Sequence, residues 1–270
     1  MCKVIGGLMS NKSTGKFDNA PVAYVLAQVR FNPYLKMEEK IPAFQDAIIE
    51  KYPGFVPSAI KLFHIQPNNL QTIDDTRWDF TDIKKTTGLI LNRNSLILHT
   101  TDYDTSKEFF EEFESILNIF EKIVPNLLIE RFGLRYVDII IPSGNNSAAD
   151  YVIDGLGGFH PTDGEILDET SSYVSLIKYK KGLMNLQFHR GKQLKTLPPE
   201  LSSINLVPNK LMEKMAKSEK DNGILDFDRF IEDRLPFNTK TAIKILREMH
   251  TDTSSAFRNI ISTNAKKEWK

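Results

Sequence analysis

The apolar residues alternate with polar ones in some stretches and recur every three or four in others, and these two periods divide most of the chain into strands and helices. The first ordered run is Val22–Phe31, bounded by Pro21 and Pro33. Ala23, Val25, Ala27, Val29 and Phe31 fall on one side of it, and Val22, Tyr24, Leu26, Gln28 and Arg30 on the other. Period two and the flanking prolines predict a strand. Residues 37–51 carry Ile41, Phe44 and Ile48 at helical spacing, and Pro53-Gly54 ends that helix. Residues 59–65 and 78–83 are predicted strands. Residues 87–91 and 95–100 flank Asn92-Arg93-Asn94 as a hairpin, since asparagine tolerates the positive φ that tight turns need. A helix is predicted over 106–123. Thr105 and Glu108 fit a capping box, and Phe109, Phe113, Ile116, Phe120 and Ile123 form one stripe. Residues 127–141 read as a long strand closed by Pro142.

The turn-rich stretch 143–149 marks a boundary between an N-terminal half, residues 20–142, and a C-terminal half, residues 150–270. The second half repeats the element order of the first more loosely. Residues 173–179 and 183–189 form a hairpin around Lys180-Lys181-Gly182. Residues 191–222 are a long polar, Lys-rich excursion, 224–231 a strand, and 239–262 a final helix with Ile243, Leu246, Met249, Phe257 and Ile260 inward. Residues 1–19 have no periodicity and read as a flexible N-terminal arm. Successive hairpins exclude an all-parallel sheet. The expected fold is therefore α+β, with antiparallel or mixed sheets and helices packed on one face, in two similar halves.

Composition narrows the function classes. Hydrophobic residues make up 41% and charged residues 26%, enough for a core and too ordinary for disorder. Thirty-five basic and 35 acidic residues leave no net charge, which lowers the expectation of a dedicated nucleic-acid or membrane-surface binder. The single Cys2 can form neither an internal disulfide nor a thiolate zinc site. No run reaches the roughly 20 apolar residues of a membrane span, so the expected compartment is the cytoplasm.

No motif points to a cofactor. Asp154-Gly155-Leu156-Gly157-Gly158 is glycine-rich, but Phe159-His160-Pro161 follows it, which is no helix start for a phosphate cradle, so a plain loop is expected. The five histidines form no metal-binding pair on a helix; His99 and His189 each end a hairpin strand. Asp226 and Asp228 share a strand face and are the one long-shot metal pair, which needs a third ligand. Glu130–Asp138 stands apart. Arg131, Gly133 and Arg135 lie on one face with Ile129, Val137 and Ile139, and Gly133 leaves a gap that a ligand or backbone could approach. In the first strand Arg30 shares its face with Gln28 and Tyr24. If the two strands are neighbours, three guanidinium groups converge, either on internal acids or on an external carboxylate or phosphate.

The segments Pro21–Phe31 and Glu130–Asp138, with Leu225–Asp228 and the helix through Phe257, resemble a sporadically distributed bacterial family of uncharacterised proteins of similar length. That family shows an N-terminal strand ending in Arg-Phe and a central Arg-hydrophobic-Gly-Leu-Arg-Tyr segment. Tyr24 departs from the pattern, where an acidic residue is expected. The resemblance implies no activity; its scattered distribution suits an accessory component of a mobile-element, defence or toxin–antitoxin module. The sequence thus points to a non-catalytic interaction or regulatory protein that binds a protein partner or itself. The partner-binding residues would be Arg30, Arg131, Arg135, Tyr24 and Gln28. The alternative is a nucleic-acid-binding or metal-dependent processing protein. In it the arginines and Lys180, Lys181, Arg190, Lys192 and Lys195 follow phosphates, and Tyr24, Trp78 and Tyr136 stack on bases.

Overall fold

The computed structural model describes residues 17, 19–66, 69–158, 163, 168–201 and 204–270. The expected arm over 1–19 lies almost wholly outside them, as do Cys2 and His160. Among the described residues nine strands form one antiparallel sheet in the order β2-β3-β4-β5-β1-β6-β9-β8-β7. The strands are β1 (Val22–Phe31), β2 (Gly54–Gln66), β3 (Asn69–Thr81), β4 (Thr87–Asn92), β5 (Ser95–Thr100), β6 (Leu128–Ile140), β7 (Ser171–Lys178), β8 (Leu183–Gly191) and β9 (Asn222–Pro236). The fold is α+β, as the patterning predicts. β6 comes from the first half and β9 from the second. They pair along nearly their whole lengths, so both halves share one sheet.

Helices α1 (Met37–Ile48), α2 (Ser106–Ile123) and α5 (Thr239–Ile260) cover one face. Thr105 caps α2 by accepting the Glu108 N–H at 3.2 Å, and Phe109, Phe110, Phe113, Ile116, Leu117 and Phe120 are buried from it. They meet Val25, Ala27, Val29, Phe31, Phe132 and Leu134 of the two central strands. A second apolar cluster on the same face joins Leu186, Phe188, Leu225 and Phe227 to the end of α5 and to α6 (Thr263–Glu268). The one-turn helix α3 (Asp154–Gly157) stands where a plain loop was expected.

Among the described residues the opposite face is open except where the excursion crosses it. Leu201, Leu206, Met212 and Met215 bury Ala23, Tyr24, Val137, Ile139 and Ile224. Two of those apolar residues come from α4 (Lys210–Lys217), a helix hidden in a lysine-rich run. It starts because Asn209 accepts the N–H groups of Leu211 and Met212, both at 3.1 Å. The Asn209 amide also donates to the carbonyls of Ala23 and Thr101, which fastens the excursion to the sheet.

Two details differ from the periodic reading. A register shift between Ile129 and Arg131 turns Ile129 into the helix-side core, away from the arginine face. The turn at Arg93-Asn94 uses no positive φ. Instead the backbone N–H of Phe31 donates to the Asn94 carbonyl and that of Tyr34 to the Arg93 carbonyl, at 2.8 and 2.9 Å. Gly182 in the β7–β8 turn does need its glycine. Its φ is +70°, and a Cβ there would collide with the Phe230 carbonyl oxygen.

Candidate functional site

β1 and β6 are neighbours, and Gln28, Arg30, Arg131, Gly133 and Arg135 do face the same side, the open one. Arg30 stands opposite Arg131, Gln28 opposite Gly133, and Leu26 opposite Arg135. β9 adds Asp226, Asp228 and Phe230 to that face, with Asp228 opposite Arg135 and Phe230 opposite Gly133. Alternation therefore assembles acids and arginines from three strands into one patch.

Within the patch the arginines differ. Arg135 donates from Nε and Nη2 to the two carboxylate oxygens of Asp226, at 2.8 and 2.5 Å, and from Nη2 to Glu200 at 2.6 Å. Such a two-pronged pair suits the guanidinium fork. Asp226 is 1% exposed, so this is an internal cross-link. Burial pushes the Asp226 carboxyl up and the Arg135 guanidinium pulls it back. Burial works against the charge on Arg135 too, but its two acids outweigh that and hold it protonated. Glu200, brought in by the excursion, sits low in spite of partial burial because of its hydrogen bond from Arg135.

Arg131 is looser. Its Nη1 donates to the Gln28 Oε1 at 2.8 Å, its guanidinium lies 4.8 Å over the Phe230 ring, and Asp228 is 3.9 Å away. The gap expected at Gly133 is filled from within. A Cβ there would meet Arg131 Nη1 at 3.2 Å and Gln28 Oε1 at 3.4 Å. Arg30 is exposed, and among the described residues it has no ion pair or hydrogen bond. It is the arginine of the three turned to solvent.

Tyr24 does not belong with this group. It is 1% exposed under the excursion and its hydroxyl is 3.1 Å from His99 Nδ1, so it offers nothing to a partner. Burial, then the charge of Arg77, lowers the His99 pKa to about 3 and keeps the ring neutral. His99 and His189 share the open face but stand four strand spacings apart, about 19 Å, so they form no joint site. Trp78 and Tyr136 are 5% and 6% exposed, which removes the proposed base-stacking rings. Arg190 is buried on the other face between Glu169 and Asp221 and follows no phosphate track. Asp226 and Asp228 do share a face, yet each meets an arginine; among the described residues no group of three His, Cys, Asp or Glu could hold a metal.

Toward the far edge the same face loses charge. Asp226 is followed across the strands by Gln187 and Val174, Asp228 by Asn185 and Leu176, and Phe230 by Leu183 and Lys178. Each row ends on β7, an edge strand.

The helix-covered face carries a second group that patterning did not bring together. Between the two apolar clusters lies a cavity of about 460 Å³ whose wall includes Tyr103, Tyr136, Asp138, Phe227, His250 and Phe257. Tyr136 is hydrogen-bonded on both sides, to the Tyr103 hydroxyl at 3.3 Å and to His250 Nδ1 at 3.0 Å. Asp138 is 2% exposed and, among the described residues, has no hydrogen-bond or ion-pair partner. Burial, with a smaller contribution from Asp226, raises its pKa to about 8. The signal for this residue was a carboxylate inside the apolar run Val137–Ile141. Its cavity is built from five separate segments, which no local pattern reveals. The chain matches no family model, no curated protein and no solved structure. No helix among the described residues is long and apolar enough to cross a membrane.

Proposed function

We propose that this chain is a non-catalytic interaction protein that pairs with a second copy of itself through β7 and presents the joined open faces to a further protein. The observation that carries this is the β7 edge. Tyr173, Val174 and Leu176 are 40%, 61% and 63% exposed on a strand whose outer side is unpaired among the described residues. Soluble proteins ordinarily blunt such edges with proline, charge or bulges. The other edge, β2, carries Pro57; β7 has neither proline nor acid, and its one charge is the terminal Lys178. The strand is also its own complement. Antiparallel pairing about a two-fold axis at Ser175 sets Val174 against Leu176 on the open face and Tyr173 against Ile177 on the helix face. Two-fold, self-complementary contacts of this kind are the commonest route to dimers.

The dimer would extend each row of the open face into its twin and place two copies of the exposed Arg30 on one surface. A cytoplasmic accessory module of the kind implied by the resemblance is a setting in which such a scaffold serves. Light scattering of the eluting protein tests the reading. The expected result is a dimer mass for the native chain and a monomer mass for Leu176→Arg. The variant should stay folded, with the far-ultraviolet circular dichroism of the native chain, and should lose only the stability that association adds. A native chain that elutes as a monomer sinks the proposal.

A further inference from the structure

The cavity on the helix face is independent of the β7 edge, and its chemistry is more specific. We propose that it binds a small organic cation, an amine carried on an aromatic or aliphatic body, with Asp138 as the counter-ion. The volume of about 460 Å³ lies in the range of small-molecule sites. Six of the fifteen described lining residues carry rings. Phe257 meets Phe17 and Phe227 edge-on at 6.2 and 6.1 Å, and Tyr103 meets Tyr136 at 5.5 Å. Aromatic faces attract an ammonium group through their quadrupoles, more strongly once water is excluded.

Charge on the wall favours the same ligand. Asp138 and Asp104 both line the cavity, and Arg258 is the one guanidinium among its described lining residues. Asp104 and that guanidinium each already take part in an interaction of their own, which leaves Asp138 as the charge-bearing group of the wall. His250 adds no positive charge, because burial first, and then Arg258 and Arg247, lowers its pKa. An anion would be repelled by the buried Asp138 carboxyl once ionised; an amine meets a buried carboxyl that, among the described residues, has no hydrogen-bond or ion-pair partner. A buried acid without a cation holds its proton. The groups facing Asp138 are Tyr103, Tyr136, Asp104, His250 and Arg258, with Asp226 on the other side of the sheet. An arriving ammonium would ionise Asp138, and the proton would leave to buffer.

Three probes on one carbon skeleton separate the possibilities: 3-phenylpropan-1-amine, 3-phenylpropan-1-ol and 3-phenylpropionate, titrated calorimetrically into the full chain at neutral pH. The amine is expected to bind saturably, and the alcohol and the acid about tenfold more weakly or worse. The heat should depend on the buffer's ionisation enthalpy in the sense of proton release. Asp138→Asn, a near-isosteric change, should weaken amine binding about tenfold or more. Ser254→Phe, which fills the cavity from α5, should abolish it, and this second variant decides the matter if the first does not fold. Equal or tighter binding of the acid or alcohol overturns the proposal. So does amine binding that survives both variants, or no binding by any probe.

Discussion

Asp226 and Asp138 lie on paired strands, one residue out of register, and are equally buried, yet the two faces of the sheet treat them in opposite ways. On the open face Asp226 meets a two-pronged arginine from the neighbouring strand. On the helix face Asp138 meets two phenols, a neutral imidazole and a cavity. A carboxylate taken from water must be paired or protonated. The open face uses the first solution and the helix face the second. Burial alone therefore says little about the role of an acid. What matters is whether the opposite charge lies within reach, which here is decided by which side of the sheet a residue faces.

The largest effect that would sharpen this contrast is in pH. Asp138 has a folded pKa of about 8, well above its value in an unfolded chain. Its contribution to stability is complete below about pH 4, where both states are protonated, and is lost as pH rises through about 8. Each tenfold change in proton affinity is worth about 1.4 kcal/mol, so the whole window amounts to an upper limit on the order of 5 kcal/mol. Urea unfolding between pH 5 and 8 should show native stability falling, and Asp138→Asn should flatten that slope and be the more stable protein at pH 8. Parallel slopes in the two proteins would show that Asp138 is not held neutral.

Next comes the open-face pair. Arg135→Ala strands a buried carboxylate, and breaking such a pair costs about 3–5 kcal/mol. Adding Asp226→Leu to that variant should recover much of the loss, because two apolar groups need no partner. A double variant as unstable as the single one would mean that the cost lies in packing of the arginine stem.

The smallest effect is at Arg131. Its side chain is 22% exposed and its acid, Asp228, 33% exposed at 3.9 Å, so solvent screens the pair. Arg131→Ala should lower stability by no more than about 1 kcal/mol. A loss matching that of Arg135→Ala would erase the distinction between the two arginines.

Much of the architecture was legible in the chain. Period two in Val22–Phe31 and Leu127–Ile141, the aromatic stripe of 106–123 and the Gly182 turn are local properties, because backbone geometry alone sets which side chains share a face. Alternation therefore placed Arg131, Gly133 and Arg135 together, and Gln28 with Arg30. It also set Asp226 beside Asp228. It went wrong at Ile129, Ala23 and Val22, where register shifts between paired strands alter the count, while Tyr24 keeps its predicted face and is buried there by the excursion. A bulge is a property of two strands and leaves no mark on one. The strand Asn69–Arg77, beyond the reach of β4, pairs with β2 alone, and with few apolar residues it shows no period to read. α4 was hidden in the same way, since its buried Met212 and Met215 are sparse within a lysine-rich run.

The class of fold, most of the elements and the grouping of polar residues on shared faces are therefore written in the chain itself. Other features exist only in the folded molecule. The pairing of β6 with β9 joined the halves and brought Asp226 and Asp228 to the arginines. The excursion carried Glu200 onto Arg135, and five segments converged to line a cavity in which Asp138, among the described residues, is paired with no cation. These are contacts across large sequence separations, and their existence depends on strand order and on which face each crossing segment covers. Periodicity contains neither quantity.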